Sequence, residues 1–179
     1  MTPTTLQALR RLLFFTQPEA AALIGGVTER SWKYWEQGAR SIPADVIERI
    51  GQLVAWRQNA IQTASATIAE HLASAPSGVE IVPPALIWYA SIEDWMTLPD
   101  REPVMWRPQC SVIAELCALH GAVAVPFDAP AYAAWLGKQP DSESMRSQWA
   151  ASTSTSMLPA CHAHPRSALV MCPRASGLR

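Results

Sequence analysis

The chain has 179 residues, 49% of them apolar and 16% charged, with a net charge of −1. That composition allows a packed core over most of the length, in one domain or two small ones. It contains no run of about 18 apolar residues that would span a membrane, and no basic-then-apolar leader. Cys110 and Cys117, two of four cysteines, sit seven apart on one expected helix. That spacing is about 10 Å along a helix axis, too far for a disulfide, so the expectation is a reduced, cytoplasmic protein. Charge is segregated: residues 1–58 hold seven Lys/Arg against five Asp/Glu, 59–136 two against eight, and 137–179 five against two. An acidic middle between more basic ends suits different partners for different segments.

In chain order, "LQALRRLLFF" places apolar residues at helical spacing around Arg10 and Arg11, predicting a helix over 3–15. Thr16 and Glu19 form a capping-box pattern with Pro18 in the first turn, opening a short helix that stops at Gly25 and Gly26. Thr28 caps a third helix, which stops at Gly38. "SIPADVIERIGQLVAWRQNAIQTASATIAEHLAS" reads as one long helix or two collinear ones, weakened slightly at Gly51. After a linker at 74–78 the texture changes. "VEIVPPALIWYA" is β-prone, "SIEDWMTL" a short capped helix, "REPVMW" a short strand, "QCSVIAELCALHG" a helix, "AVAVPF" a strand and "APAYAAWLG" a last helical turn or two. From 137 onward periodicity fades into Ser, Thr, Pro and Ala, and the expectation is a disordered tail.

Three short helices, the last two joined by a glycine turn, describe a helix-turn-helix, whose final helix enters the DNA major groove. On a helical wheel Trp32 and Trp35 point one way, while Arg30, Lys33, Tyr34 and Gln37 point the other. The first pair is expected in the core. The second set is cationic, aromatic and amide, the chemistry of phosphate and base-edge contacts. A solvated helix face is the simpler alternative on periodicity alone.

"TQPEAAALIGGVTERSWKYWEQG" resembles the helix-turn-helix of the phage-repressor (Cro/C1, XRE) class in Gln17, Glu19, Ala21, Gly26, Val27, Thr28, Trp32, Trp35, Glu36 and Gly38. A closer likeness is to the YdiL-like family, which includes anti-CRISPR-associated regulators. It rests on Leu6, Gln7, Ala8, Leu9, Arg10, Thr16, Glu19, Ser31, Trp32, Trp35, Glu36, Gly38, Ile42 and Pro43. "IWYASIEDW", Trp106 and "SVIAELCA" extend it to about residue 130. The resemblance implies an α+β protein: a helix-turn-helix domain with connecting helix at 1–75, a small α/β dimerisation domain at 76–136, and the tail at 137–179. It implies a homodimeric repressor on double-stranded DNA. By resemblance, Gln17 and Thr28 contact phosphate at helix N-termini. Glu29, Arg30 and Tyr34 fall at base-reading positions, Glu29 serving equally as a favourable charge in the first helical turn. Lys33, Gln37 and Arg40 hold the backbone, Ser31 lies among them, and Arg10 and Glu36 form a buried ion pair.

Other signals are weak. Cys161, His162, His164 and Cys172 lack zinc-ribbon spacing. Cys117 and His120 resemble half a catalytic pair, but Cys117 falls among apolar positions. No cofactor, metal or enzymatic motif is implied. The leading expectation is a dimeric autorepressor on an inverted repeat, with a recognition helix at about 28–37. The alternative is an antitoxin or interaction module that neutralises a toxin-like protein through the acidic middle. RNA is a further candidate ligand for the same basic face.

Overall fold

The computed structural model describes residues 1–74 and 82–157, the last three as backbone only. Helix α1 (Pro3–Leu12) starts at Thr2, whose hydroxyl accepts from the Thr5 amide. It ends before the predicted boundary because Phe14 turns left-handed at φ 64°. The Phe15 amide then reaches back to the Arg10 carbonyl and the Phe14 amide to that of Arg11, the paired bonds of a Schellman stop. Helix α2 (Gln17–Ala20) has the full capping box: Thr16 accepts from the Glu19 amide and Glu19 accepts from the Thr16 amide. A π-helical turn, Ala21–Gly25, continues it. The chain reverses at Gly26 (φ 58°), a conformation open to glycine at no steric cost. Gly25 is small for another reason: a Cβ there would come within 3.1 Å of both the Trp35 ring and Val27.

Helix α3 (Glu29–Glu36) is capped by Thr28, which accepts from the Ser31 amide. It stops at Gly38 with the same paired bonds, Ala39 to Tyr34 and Gly38 to Trp35. Trp32 is fully buried and Trp35 nearly so, edge-to-face at 5.6 Å, as the wheel predicts. With Leu6, Leu13, Phe15, Ala20, Ala21, Val46, Ile50 and Leu53 they form the N-terminal core. Helix α4 (Ala44–Ser74) is a single 31-residue helix that leaves this core and continues into the C-terminal half.

There, strands β1 (Ala85–Trp88) and β2 (Val123–Pro126) pair in parallel, Ala85 opposite Val123 and Trp88 opposite Pro126. Between them run α5 (Ile92–Trp95) and α6 (Trp106–His120). "REPVMW" is not a strand. Residues Pro103–Met105 make a single 3-10 turn feeding α6, because Pro103 fixes a helical φ and Trp106 continues in α geometry. After β2 come α7 (Ala129–Leu136) and α8 (Glu143–Met157). Alternation of side chains along the strands places the sheet between two helical layers. Leu86 packs with Val112 and Leu116 of α6 and Trp56, Ala60 and Ile61 of α4. Ala85, Ile87, Val123 and Val125 pack with Tyr132 of α7 and Trp149 and Ala150 of α8. The class is therefore α+β, with an all-α start, a long helix and a small α/β second half.

Helix α8 corrects the expectation of disorder from 137 onward, as far as 157. Trp149 and Arg146 provide the reason: both are buried, and Arg146 is 1% exposed. Its guanidinium bonds Asp141, Tyr89 and Thr97 and lies 4.8 Å from the Phe127 ring centre. The rest of that tail, with Cys161, His162, His164 and Cys172, lies outside the described residues.

Candidate nucleic-acid interface

Glu36, the last residue of α3, fixes the N-terminal unit. One of its carboxylate oxygens accepts from Arg10 Nε at 2.6 Å and Trp32 Nε1 at 2.7 Å. The other accepts from Gln17 Nε2 at 2.8 Å and from Arg10 Nη2 at 3.3 Å. Donors from α1, α2 and α3 thus converge on one carboxylate. Burial opposes its ionisation, but the hydrogen bonds from Arg10, Gln17 and Trp32 outweigh that and hold its pKa below the usual value. Arg10 spends a further N–H on the Phe15 carbonyl. The expected buried pair is present, and it is part of a larger cluster than the sequence suggests.

With Trp32 and Trp35 turned inward, the opposite side of α3 faces solvent. Arg30, Lys33, Gln37 and Arg40 are exposed, and Glu29, Ser31 and Tyr34 half-buried. Arg30 Nε donates to the Tyr34 hydroxyl at 2.7 Å. The Arg30 and Arg40 guanidinium carbons lie 5.5 and 5.0 Å from the Tyr34 ring centre, within cation–π range. Two cations are therefore gathered around one half-buried aromatic. Lys33 is differently placed: its ammonium sits 2.7 Å from Glu29, one turn back. The pair is local and exposed, so Glu29's charge is screened within α3. Thr28 and Ser31 share the N-cap, their hydroxyls 3.2 Å apart. Gln17 departs from the expected role, since its amide is turned inward to Glu36.

Sequence reasoning missed what steadies this face from behind. Arg107 of α6 reaches Glu19 of α2 at 2.6 Å and stacks on Trp106, its guanidinium carbon 3.8 Å from the ring centre. Burial again opposes ionisation of Glu19, and the bonds from Arg107 and Thr16 hold it low. Arg57 of α4 is buried against Ser111 and Glu115 of α6. These partners are 88, 54 and 58 residues apart, and no local motif marks them. Of the weaker signals, Cys117 packs with the α4–α6 apolar cluster and His120 bonds the Ser65 hydroxyl at 2.7 Å. Among the described residues no group of three His, Cys, Asp or Glu could hold a metal, and no helix is long and apolar enough to cross a membrane.

A capped short helix, a glycine reversal and a second helix with a buried tryptophan face define a helix-turn-helix protein. The chain belongs to the Aca2/YdiL-like family, whose pattern it matches over residues 1–125. It is similar to the Aca2 repressor of Pectobacterium phage ZF40, 36% identical over 115 residues that cover 64% of this chain and 90% of that protein. Helices α7 and α8 lie beyond the family match.

Proposed function

We propose that the protein is a sequence-specific DNA-binding repressor that inserts α3 into the major groove. The observation that carries this is the outward cluster of Arg30, Tyr34 and Arg40 on a helix anchored from behind through Glu36. Arginine at the groove floor pairs bidentately with guanine O6 and N7, and the tyrosine holds the guanidinium in place for it. Thr28 and Ser31 supply hydroxyls and the α3 N-terminus supplies backbone N–H groups for phosphate. Lys33, Gln37 and Arg40 reach the flanking backbone. Glu29 offsets Lys33 and is the one acidic group in the set. The name of the similar phage repressor supports the regulatory role.

An eight-residue helix is about 12 Å long. At about 3.4 Å per base step it covers some four base pairs, too few to single out one site among many competitors. Two copies on an inverted repeat double the reading. A homodimer with half-sites about one turn apart follows, acting at its own promoter.

The test is a mobility-shift titration on the duplex immediately upstream of the gene, with a shuffled duplex of equal length alongside. The expected outcome is preference for the native duplex by tenfold or more and a two-fold-symmetric footprint. Equal affinity for the two duplexes at all salt concentrations overturns the reading.

A further inference from the structure

Three links join the helix-turn-helix to the C-terminal half. Helix α4 runs through both cores, with Val46, Ile50 and Leu53 in one and Trp56, Ala60 and Ile61 in the other. Val104, from the 3-10 turn before α6, is buried in the N-terminal core. The third link is polar. Arg107, in the first turn of α6, donates to one Glu19 oxygen through Nε at 3.0 Å and Nη2 at 2.6 Å. The other Glu19 oxygen accepts from the Thr16 amide at 2.8 Å, at the start of α2. Among the described residues, the hydrogen bonds between α1–α3 and the C-terminal half all run from Arg107 to Glu19.

These links restrain different motions. A single helix acts as a hinge, since the part it carries can still turn about its axis. The Val104 contact is apolar, and apolar burial has no preferred direction. The Arg107–Glu19 pair, by contrast, has a short fixed length and a fixed direction. Arg107 is itself braced, its guanidinium carbon 3.8 Å from the Trp106 ring centre, and the Trp106 indole donates to the Tyr89 carbonyl at 2.9 Å, just past β1. At its other end the pair grips α2, which is four residues long and continues into a π-helical turn. So short a helix is placed by its tertiary contacts. Gln17 ties it to Glu36 of α3, and Glu19 ties it to α6.

We infer that Arg107 is a positioning residue that sets which half-site spacing the dimer accepts, by fixing α2 and α3 against the C-terminal half. The inference rests on the DNA-binding reading, with the two copies joined through their C-terminal halves. With α3 turned to DNA, that half is left to meet the second copy, and Val82, Leu119 and Trp135 are large apolar side chains exposed on it. One extra base pair between half-sites carries the second about 3.4 Å along the duplex and about 35° around it. Reading helices locked to a common base cannot follow that change. Helices free to turn about α4 can.

The experiment is a mobility-shift titration of the full-length protein on four kinds of duplex. These are the footprinted operator, the operator with one base pair inserted or deleted between half-sites, a single half-site, and a shuffled control. Wild type should lose tenfold or more on changing the spacing. Arg107→Ala should lose less than threefold, while its half-site affinity stays within twofold of wild type. Glu19→Gln keeps an acceptor for the Thr16 amide and removes the charge, and should behave as Arg107→Ala does. Arg107→Lys keeps the charge and should restore a spacing penalty of at least fivefold. The inference is overturned if the folded variants keep the wild-type spacing penalty, or if they lose half-site binding as much as operator binding, because Arg107 then only supports the fold. A wild type that prefers the operator but accepts every spacing overturns the inference alone. A wild type that binds the operator and the shuffled duplex alike overturns the DNA-binding reading and the inference with it.

Discussion

Arg10 and Glu36 are 26 residues apart in sequence, and their charged groups are 2.6 Å apart, with side chains only 8% and 2% exposed. Pairing was the condition for burying either of them. Removing one partner leaves the other stranded in the interior, which costs about 3–5 kcal/mol. Glu36→Ala should therefore lower the urea midpoint sharply, and the double variant Arg10→Met with Glu36→Leu should recover part of the loss, the Gln17 and Trp32 donors staying without their acceptor. A Glu36→Ala cost below about 1 kcal/mol would show that α1 and α3 are held by the tryptophan core alone.

Acid sensitivity follows from the same carboxylate. Glu36 and Glu19 are held below their ordinary value of 4.5, and Asp141, hydrogen-bonded by Arg146, below 3.8. A depressed folded-state pKa contributes stability that is complete above the unfolded value and is lost as pH falls through the folded one. The melting temperature should thus change little between pH 7 and pH 5 on account of these groups. It should fall as pH drops below 4.5 toward their lower folded values. Glu36→Gln should be less stable at pH 7 and show a shallower fall on acidification. Parallel curves for variant and wild type would remove Glu36 from the cause.

On the outward face the two kinds of cation separate by experiment. Arg30→Ala should weaken operator binding by about 1–3 kcal/mol and relax the preference at one base pair. Tyr34→Phe removes only the hydroxyl that holds Arg30 and should reproduce part of that loss. Lys33→Ala should weaken all duplexes alike and reduce the salt slope by about 1. Since Glu29 already engages Lys33, Glu29→Ala should strengthen binding at low salt. An Arg30→Ala titration that matches wild type on the operator would remove α3 as the reading helix.

Much of the N-terminal unit was legible because its signals are local. The Thr16–Glu19 capping box, the Thr28 cap and the Gly38 stop each act within five residues, and the wheel of α3 sorted Trp32 and Trp35 from Arg30 and Lys33. "REPVMW" misled because a proline and three apolar residues fit an edge strand as well as a helix entry, and only packing decides. The tail misled for a different reason. Helix α8 has no apolar stripe: among its mostly small and polar residues, Arg146, Trp149, Ala150 and Ser154 are buried, and Arg146 is satisfied by Asp141, Tyr89 and Thr97 from three separate places. A buried arginine looks like a surface residue in sequence until its partners are seen. The Glu19–Arg107 contact was invisible for the same reason, being 88 residues long in sequence.

Helix α8 is where the sequence reading and the structure make opposite predictions. Were 137–179 a disordered tail, truncation after Leu136 would leave stability unchanged. In the structure Trp149 is buried, 5.8 Å from the ring centres of both Phe127 and Tyr132, and with Ala150 it covers Ala85, Ile87 and Val125. Removing a buried tryptophan costs about 3–5 kcal/mol, so Trp149→Ala should destabilise the C-terminal half by that order. Truncation after Leu136 removes Arg146 and Asp141 as well and bares one face of the sheet. The truncated chain should expose apolar surface to a reporter dye and lose its cooperative urea transition in the C-terminal half. The N-terminal core, built from α1 to α4 with Val104, shares no buried residue with α8. Glu36→Ala and the truncation should therefore act on different parts of the unfolding curve. A truncated chain that unfolds at the wild-type midpoint, with no gain in dye binding, would return α8 to the status of a dispensable tail.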